Sequence, residues 1–131
     1  MGHARTRGCP CGSGAAYAAC CEPLHDGARV AATAEELMRS RYVAFAKGLA
    51  DYLFRTWHPR TRPPEVTVEP DMTWCGLTIT DVVSGGGDDE IGEVEFQARY
   101  TRTGRPGALH ERSRFERRAG RWFYLDGAAS R

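Results

Sequence analysis

The chain of 131 residues has no long apolar run. Nowhere do about 18 apolar residues follow one another, which excludes a transmembrane helix and membrane insertion. Residues Met1 to Gly8 lead into no apolar core of the signal-peptide kind, so a cytoplasmic location is expected. A glycine-rich phosphate loop, a dinucleotide fingerprint and a nucleophile–base–orienter signature are also missing, so no catalytic set is specified. Lysine is almost absent: Lys47 stands alone against 17 arginines, a skew that genomic composition explains as well as function does. With 41% hydrophobic and 27% charged residues the chain reads as an ordinary globular protein, long enough to bury a real core.

A formal net charge of +1 hides a division along the chain. Residues 1–98 carry nine Lys or Arg against 14 Asp or Glu, whereas residues 99–131 carry nine Arg against Glu111, Glu116 and Asp126. Arg112, Arg114, Arg117, Arg118 and Arg121 fall on one expected hairpin. They suggest nucleic-acid binding, although a solvated strand face explains them equally well and Glu116 breaks the stripe.

Four of the five cysteines lie within 13 residues: Cys9, Cys11, Cys20 and Cys21. Under reducing conditions such clustering points to a metal rather than to disulfides, and adjacent Cys20 and Cys21 pair poorly with each other. Zinc accepts four thiolates in tetrahedral geometry, while the spacing matches none of the usual iron–sulfur patterns. His3 and His25 flank the cluster and are alternative ligands, though a solvated surface position is expected for each. Gly12 and Gly14 permit positive φ and let the loop turn its amides toward the sulfurs, offsetting thiolate charge. Four protein ligands leave no open position, so the expected Zn²⁺ is structural rather than catalytic.

Cys9-Pro10-Cys11-Gly12-Ser13-Gly14, then Tyr17 and Cys20-Cys21, resembles the SEC-C motif found at the C-terminus of the SecA preprotein-translocation ATPase. The resemblance maps that motif's ligands onto the same four cysteines. Residues 34–45, Tyr52-Leu53, Thr56-Trp57-His58-Pro59, Glu111–Phe115 and Trp122–Gly127 extend it to the YchJ-like family, in which a SEC-C motif precedes an NTF2-like domain. The resemblance implies an α+β fold: a four-cysteine zinc knuckle over 1–27, then an NTF2-like (cystatin-like) domain over 28–131, with helices packed on a curved antiparallel sheet around a conical cavity. Some relatives carry a second cysteine motif near the C-terminus, which this sequence lacks.

Read without that resemblance, the remaining chain agrees. Thr33-Ala34-Glu35-Glu36 forms a capping box, Met38, Tyr42, Phe45 and Leu49 then recur at helical spacing, and Gly48 interrupts or ends the helix. Ala50, Leu53, Phe54 and Trp57 continue an apolar stripe in a short second helix that stops at His58, before Pro59. Arg60–Pro64 is linker. After Pro64 the period becomes two: Leu77, Ile79 and Val83 in one strand, then Val94, Phe96, Ala98 and Tyr100 in the next. Gly85–Asp89 and Thr103–Gly107 are turn material, and Ala119-Gly120 joins a final hairpin. Cys75 is expected to be a buried small hydrophobe.

Leu109 and Phe115 draw their strand face inward and carry Glu111 and Ser113 with them. A buried carboxylate must be paired, hydrogen-bonded or protonated. A structural role fixing packing is the expected one for Glu111; the alternative is a pocket carboxylate. His58 is expected to meet the carbonyls or dipole at a helix C-terminus, with a pocket acid or base as the alternative. Tyr42, Trp57, His58 and Glu111 are thus the candidate ligand-binding residues of the cavity. Two functions follow from the whole. One is a non-enzymatic interaction module whose knuckle contacts a protein, the ribosome or RNA, with Arg5 and Arg7 adding positive charge beside it. The other is a cavity that binds a small molecule, or an isomerase or dehydratase of the kind NTF2-like folds host.

Overall fold

A computed structural model describes residues 8–129. A short 3₁₀ turn (Tyr17–Ala19) and three helices, α1 (Glu22–His25), α2 (Ala34–Lys47) and α3 (Ala50–Arg55), precede four strands. The strands are β1 (Met72–Ser84), β2 (Ile91–Arg102), β3 (Arg105–Arg118) and β4 (Arg121–Ala129), and they form an antiparallel meander in the order β1-β2-β3-β4.

Helix α2 begins where the capping box predicts. Thr33 Oγ1 accepts from the Glu36 N–H at 3.0 Å, while Glu36 reaches one residue past the cap and accepts from the Ala32 N–H at 2.7 Å. Gly48, with φ 77°, closes the helix in the left-handed region open to glycine. The buried surface of α2 is wider than the predicted stripe, because Leu37, Ser40, Arg41, Val43 and Ala44 are buried as well. The sheet covers one side of the helix, α3 and the cysteine segment cover others, and Ala46 and Lys47 stay exposed. Cys9, Cys11, Cys21 and Leu24 belong to the same apolar cluster as Leu37, Tyr42, Leu53, Phe96 and Phe115, so motif and domain share one core.

The period-two reading of β2 holds, with Val94, Phe96 and Ala98 buried and Glu93, Glu95, Gln97 and Arg99 on the opposite face. Two-residue turns join β2 to β3 at Thr103-Gly104 and β3 to β4 at Ala119-Gly120, each with positive φ at both positions, as tight hairpins require. Pro106 and Gly107, expected in a turn, are instead paired in β3 opposite Thr101 and Tyr100, and Gly107 lets the Tyr100 ring lie over the strand.

Two expectations for β1 fail for one reason. The register of β1 against β2 shifts between Trp74 and Gly76 and again between Ile79 and Asp81. The first bulge pairs Trp74 with Tyr100 and Leu77 with Ala98, leaving Cys75 as the extra residue, exposed rather than buried. The second sets Val83 opposite Glu93, so Val83 is exposed instead of continuing the inner row.

On the outer face Arg112 bonds Asp81 at 2.6 Å, Glu93 at 2.9 Å and Glu95 at 2.6 Å, and Arg114 pairs with Asp126; Arg117, in the row of Phe115, pairs with Glu90. Of the five arginines of the expected stripe, Arg112, Arg114 and Arg117 are thus held in ion pairs, while Arg118 and Arg121 are exposed beside the final turn.

Candidate functional site

The four cysteines converge. Their Sγ atoms lie within 4.8 Å of one another, with Cys11 and Cys20 3.6 Å apart and Cys20 and Cys21 4.0 Å apart. Four thiolates at the usual Zn–S distance of about 2.3 Å form a tetrahedron with edges of about 3.8 Å, so the cluster has the dimensions of a metal site. Cys9 and Cys11 sit on a loop closed by the bridge between Gly8 and Ala16 and by the Cys9 N–H to Ala15 O bond at 2.7 Å. Gly12 and Gly14, at φ 83° and 90°, bend that loop as expected. The backbone amides of Cys11 and Ser13 favour the charged forms of the Cys9 and Cys11 thiols respectively. Cys20 follows the 3₁₀ turn, and Cys21 caps α1 by accepting from the Leu24 and His25 N–H groups.

Cys9, Cys11 and Cys21 are buried and Cys20 is half-buried. With sulfurs this close, they share protons unequally. A hydrogen bond from the Cys21 thiol holds Cys11 down to about 4, and the same contact pushes Cys21 up, while burial raises Cys9 to about 11. Binding a cation at four such thiols would release their protons, because the ligating form is the thiolate. Ser13 Oγ lies 3.1 Å from the Cys20 sulfur and completes the surroundings of the most exposed ligand.

His25 is neither a ligand nor a solvated surface residue. Its Nε2 donates to Ser40 O at 2.8 Å and its Nδ1 accepts from the Tyr17 hydroxyl at 2.7 Å, clipping α1 to α2. Arg39 adds a second clip, donating to Cys11 O at 2.6 Å. His3, Arg5 and Arg7 lie outside the described residues.

On the far side of α2, a cavity of about 180 Å³ opens between the helix and the concave sheet face. Of the four candidate residues, Tyr42, Trp57 and Glu111 line it and His58 does not. After α3 the chain runs beside β4, where Trp57 bridges Tyr124 and the His58 N–H donates to Tyr124 O at 2.7 Å. That pairing turns the His58 ring away from the cavity and from the helix carbonyls, so it is not a cap either. Its Nε2 meets Glu116 at 2.7 Å and its Nδ1 accepts from the Arg60 N–H.

Glu111 is half-buried on the inner face, where Oε2 accepts from Ser113 at 2.7 Å and from Tyr124 at 3.4 Å. Gly127 lies against this carboxylate, since a Cβ there would overlap it. The alignment depends on the register shift after Arg114, which sets Leu125 as the extra residue, Asp126 beside Arg114 and Gly127 opposite Ser113. The sequence reading missed Arg41, which is 3% exposed and also lines the cavity. Its signal was position: it falls between Met38 and Tyr42 on the inward stripe, hidden by its charge. Burial lowers its pKa to about 10, which leaves it a cation at neutral pH.

Sequence comparisons agree with this geometry. The model for the YchJ middle NTF2-like domain matches residues 33–127, and that for the SEC-C motif matches residues 5–23. A UPF0225 protein of Streptomyces coelicolor is 53% identical over 119 residues, covering 91% of this chain and 93% of its own. A UPF0225 protein of Deinococcus radiodurans is 50% identical over 121 residues, covering 92% and 88%. The solution structure of a SEC-C motif-containing protein from Rhodopseudomonas palustris superposes with a TM-score of 0.82 at 36% identity, covering 94% of this chain and 98% of that one. A crystal structure of a SEC-C motif-containing protein from Psychrobacter arcticus gives 0.75 at 27% identity, covering 97% and 85%. With a domain model spanning most of its length and relatives at half identity or better, the chain belongs to the YchJ-like UPF0225 family, in which a SEC-C motif is joined to an NTF2-like domain.

Proposed function

We propose that Cys9, Cys11, Cys20 and Cys21 hold one structural Zn²⁺ and that the chain is a zinc-dependent interaction protein of the cytoplasm. The observation that carries this reading is the closed ligand set: four thiols within 4.8 Å fill a tetrahedral site and leave no position for water or substrate. Zinc is favoured over other ions because it is borderline-soft and imposes no geometry of its own. The residues around the ligands are divided in role. Tyr17, Leu24 and His25 face α2, while Gly12–Ala16, Ala18 and Ala19 are exposed and present a low, small-residue surface with accessible backbone groups. A protein or ribosomal partner would meet this outer surface.

Metal analysis of purified protein should find about one zinc per chain. Affinity capture should then compare the wild type with an Ala15→Asp/Ala19→Asp variant, which alters the exposed surface and keeps all four ligands. Specific partners lost with this variant at unchanged zinc content support the reading. Iron in place of zinc, or identical partners in both samples, contradicts it.

A second reading rests on a separate observation. The cavity holds a buried cation, Arg41, and a carboxylate, Glu111, within an otherwise aromatic and aliphatic lining. Such a pocket, apolar with few convergent polar groups, is the usual form of a small-molecule site.

A further inference from the structure

The polar groups of that cavity are incompletely used, and the unused ones divide into two corners. At the first, Arg41 spends only Nη1 on protein, donating to Leu53 O at 2.9 Å and to Thr56 Oγ1 at 2.7 Å. Its guanidinium lies over the Tyr124 ring at 4.5 Å and beside the Trp57 ring at 5.3 Å. Among the described residues it forms no ion pair with an acid, although a guanidinium carries five N–H donors. The Arg41 guanidinium, which lines the cavity, thus keeps donors free, and the neighbouring Trp57 indole N–H is a buried donor without an acceptor among the described residues, which is costly.

The second corner has the opposite character. Both bonds to Glu111 fall on Oε2, from Ser113 and Tyr124, and Oε1 has no donor among the described residues. Tyr124 separates the corners, its ring under Arg41 and its hydroxyl at Glu111. Aromatic side chains form much of the remaining wall, with Tyr42 and Trp74 in edge-to-face contact at 6.1 Å. The volume of about 180 Å³ suits one ring: an apolar protein cavity of about 150 Å³ accepts benzene.

We infer that the cavity binds a single-ring aromatic carboxylate bearing an O–H or N–H donor on the ring, with the carboxylate at Arg41 and Trp57 and the donor at Glu111. This inference rests on the small-molecule reading above and specifies its ligand. A carboxylate is the best match to the first corner because guanidinium binds it through two parallel N–H bonds. The donor on the ring answers the second corner. With the acid group held at Arg41, a plain aromatic acid turns only C–H toward Glu111, whereas a ring hydroxyl or amine donates to the Oε1 that has no donor among the described residues.

The test uses metal-loaded, full-length protein and four probes: 4-hydroxybenzoate, benzoate, phenol and toluene. Binding is read by titration of inner-face NMR resonances and by fluorescence of Trp57 and Trp74. The expected order is 4-hydroxybenzoate first, with benzoate and phenol weaker by about tenfold or more, the range of one charged hydrogen bond. In Trp57→Phe, which keeps a ring, all carboxylate probes should weaken. In Glu111→Gln, the preference for 4-hydroxybenzoate over benzoate should shrink severalfold while Arg41 still holds the acid group. Toluene binding without carboxylate binding overturns the inference and leaves the small-molecule reading standing. Absence of binding by all four probes in folded protein overturns the inference and counts against the reading it rests on. An unchanged preference in Glu111→Gln also overturns it.

Discussion

Removing the metal should destabilise the whole molecule rather than unravel its first 25 residues alone. A knuckle with few apolar residues does not hold its shape without an ion, so chelation releases the segment that ends with α1. The contacts then lost join the segment to α2 and α3. His25 Nε2 no longer donates to Ser40 O, Arg39 no longer reaches Cys11 O, and the more exposed bonds of Arg29 to Cys20 O and Arg55 to His25 O are lost as well. The two less exposed bonds contribute about 1 kcal/mol each and the exposed ones less. Leu24, 4% exposed, loses about 1.5–3 kcal/mol of burial. A total of about 4–6 kcal/mol rivals the net stability of a domain, about 5–15 kcal/mol. The assay is thermal denaturation with and without a chelator, followed by near-ultraviolet circular dichroism. Trp122 is a useful reporter because its indole N–H donates to Ala32 O at 3.3 Å, where the segment enters α2. The midpoint should fall by more than about 10 °C in a single transition. An unchanged midpoint in protein shown to have lost its metal would refute the shared core as an energetic unit.

Four further outcomes are expected. Serine at Cys9, Cys11, Cys20 or Cys21 should lower metal content, whereas Cys75→Ser, at an exposed bulge, should leave metal and melting temperature unchanged. Glu111→Leu strands the Ser113 hydroxyl and should cost about 1–3 kcal/mol by denaturant titration, while Glu111→Gln keeps an acceptor and should cost less. Gly127→Ala should destabilise because the added methyl displaces the Glu111 carboxylate, and pairing it with Glu111→Ala should restore part of the loss, a result a double-mutant cycle reads directly. Burial holds the His25 imidazole below its ordinary 6.5, so its neutral form favours folding: that contribution is present above 6.5 and is lost as pH falls through that value toward the lower folded one. Between about pH 7.5 and about 5.5 the wild type should therefore lose more stability than His25→Gln, and parallel pH slopes would remove the assignment.

Local sequence determined the parts whose physics is local. The spacing of Cys9, Cys11, Cys20 and Cys21, with its glycine turns, pointed to the convergent sulfur cluster that the structure shows, one that could hold a metal ion. Thr33 with Glu36, and Gly48, bounded α2 because a helix end must satisfy its own orphan backbone groups. The alternation from Val94 to Tyr100 fixed the faces of β2, and the pairing of Leu109 with Phe115 correctly turned Glu111 inward. Tertiary structure decided what depends on a partner strand or a covering segment. Bulges moved Cys75 and Val83 outward and brought Gly127 beneath Glu111, and register against a neighbouring strand is not written in the alternation of one strand. The rung between Trp57 and Tyr124 took His58 out of the cavity and gave it to Glu116. Arg41 and Ser40 became core residues only because α3, the cysteine segment and the sheet enclose α2 from several sides, so polar residues on that helix find their hydrogen-bond partners on other elements.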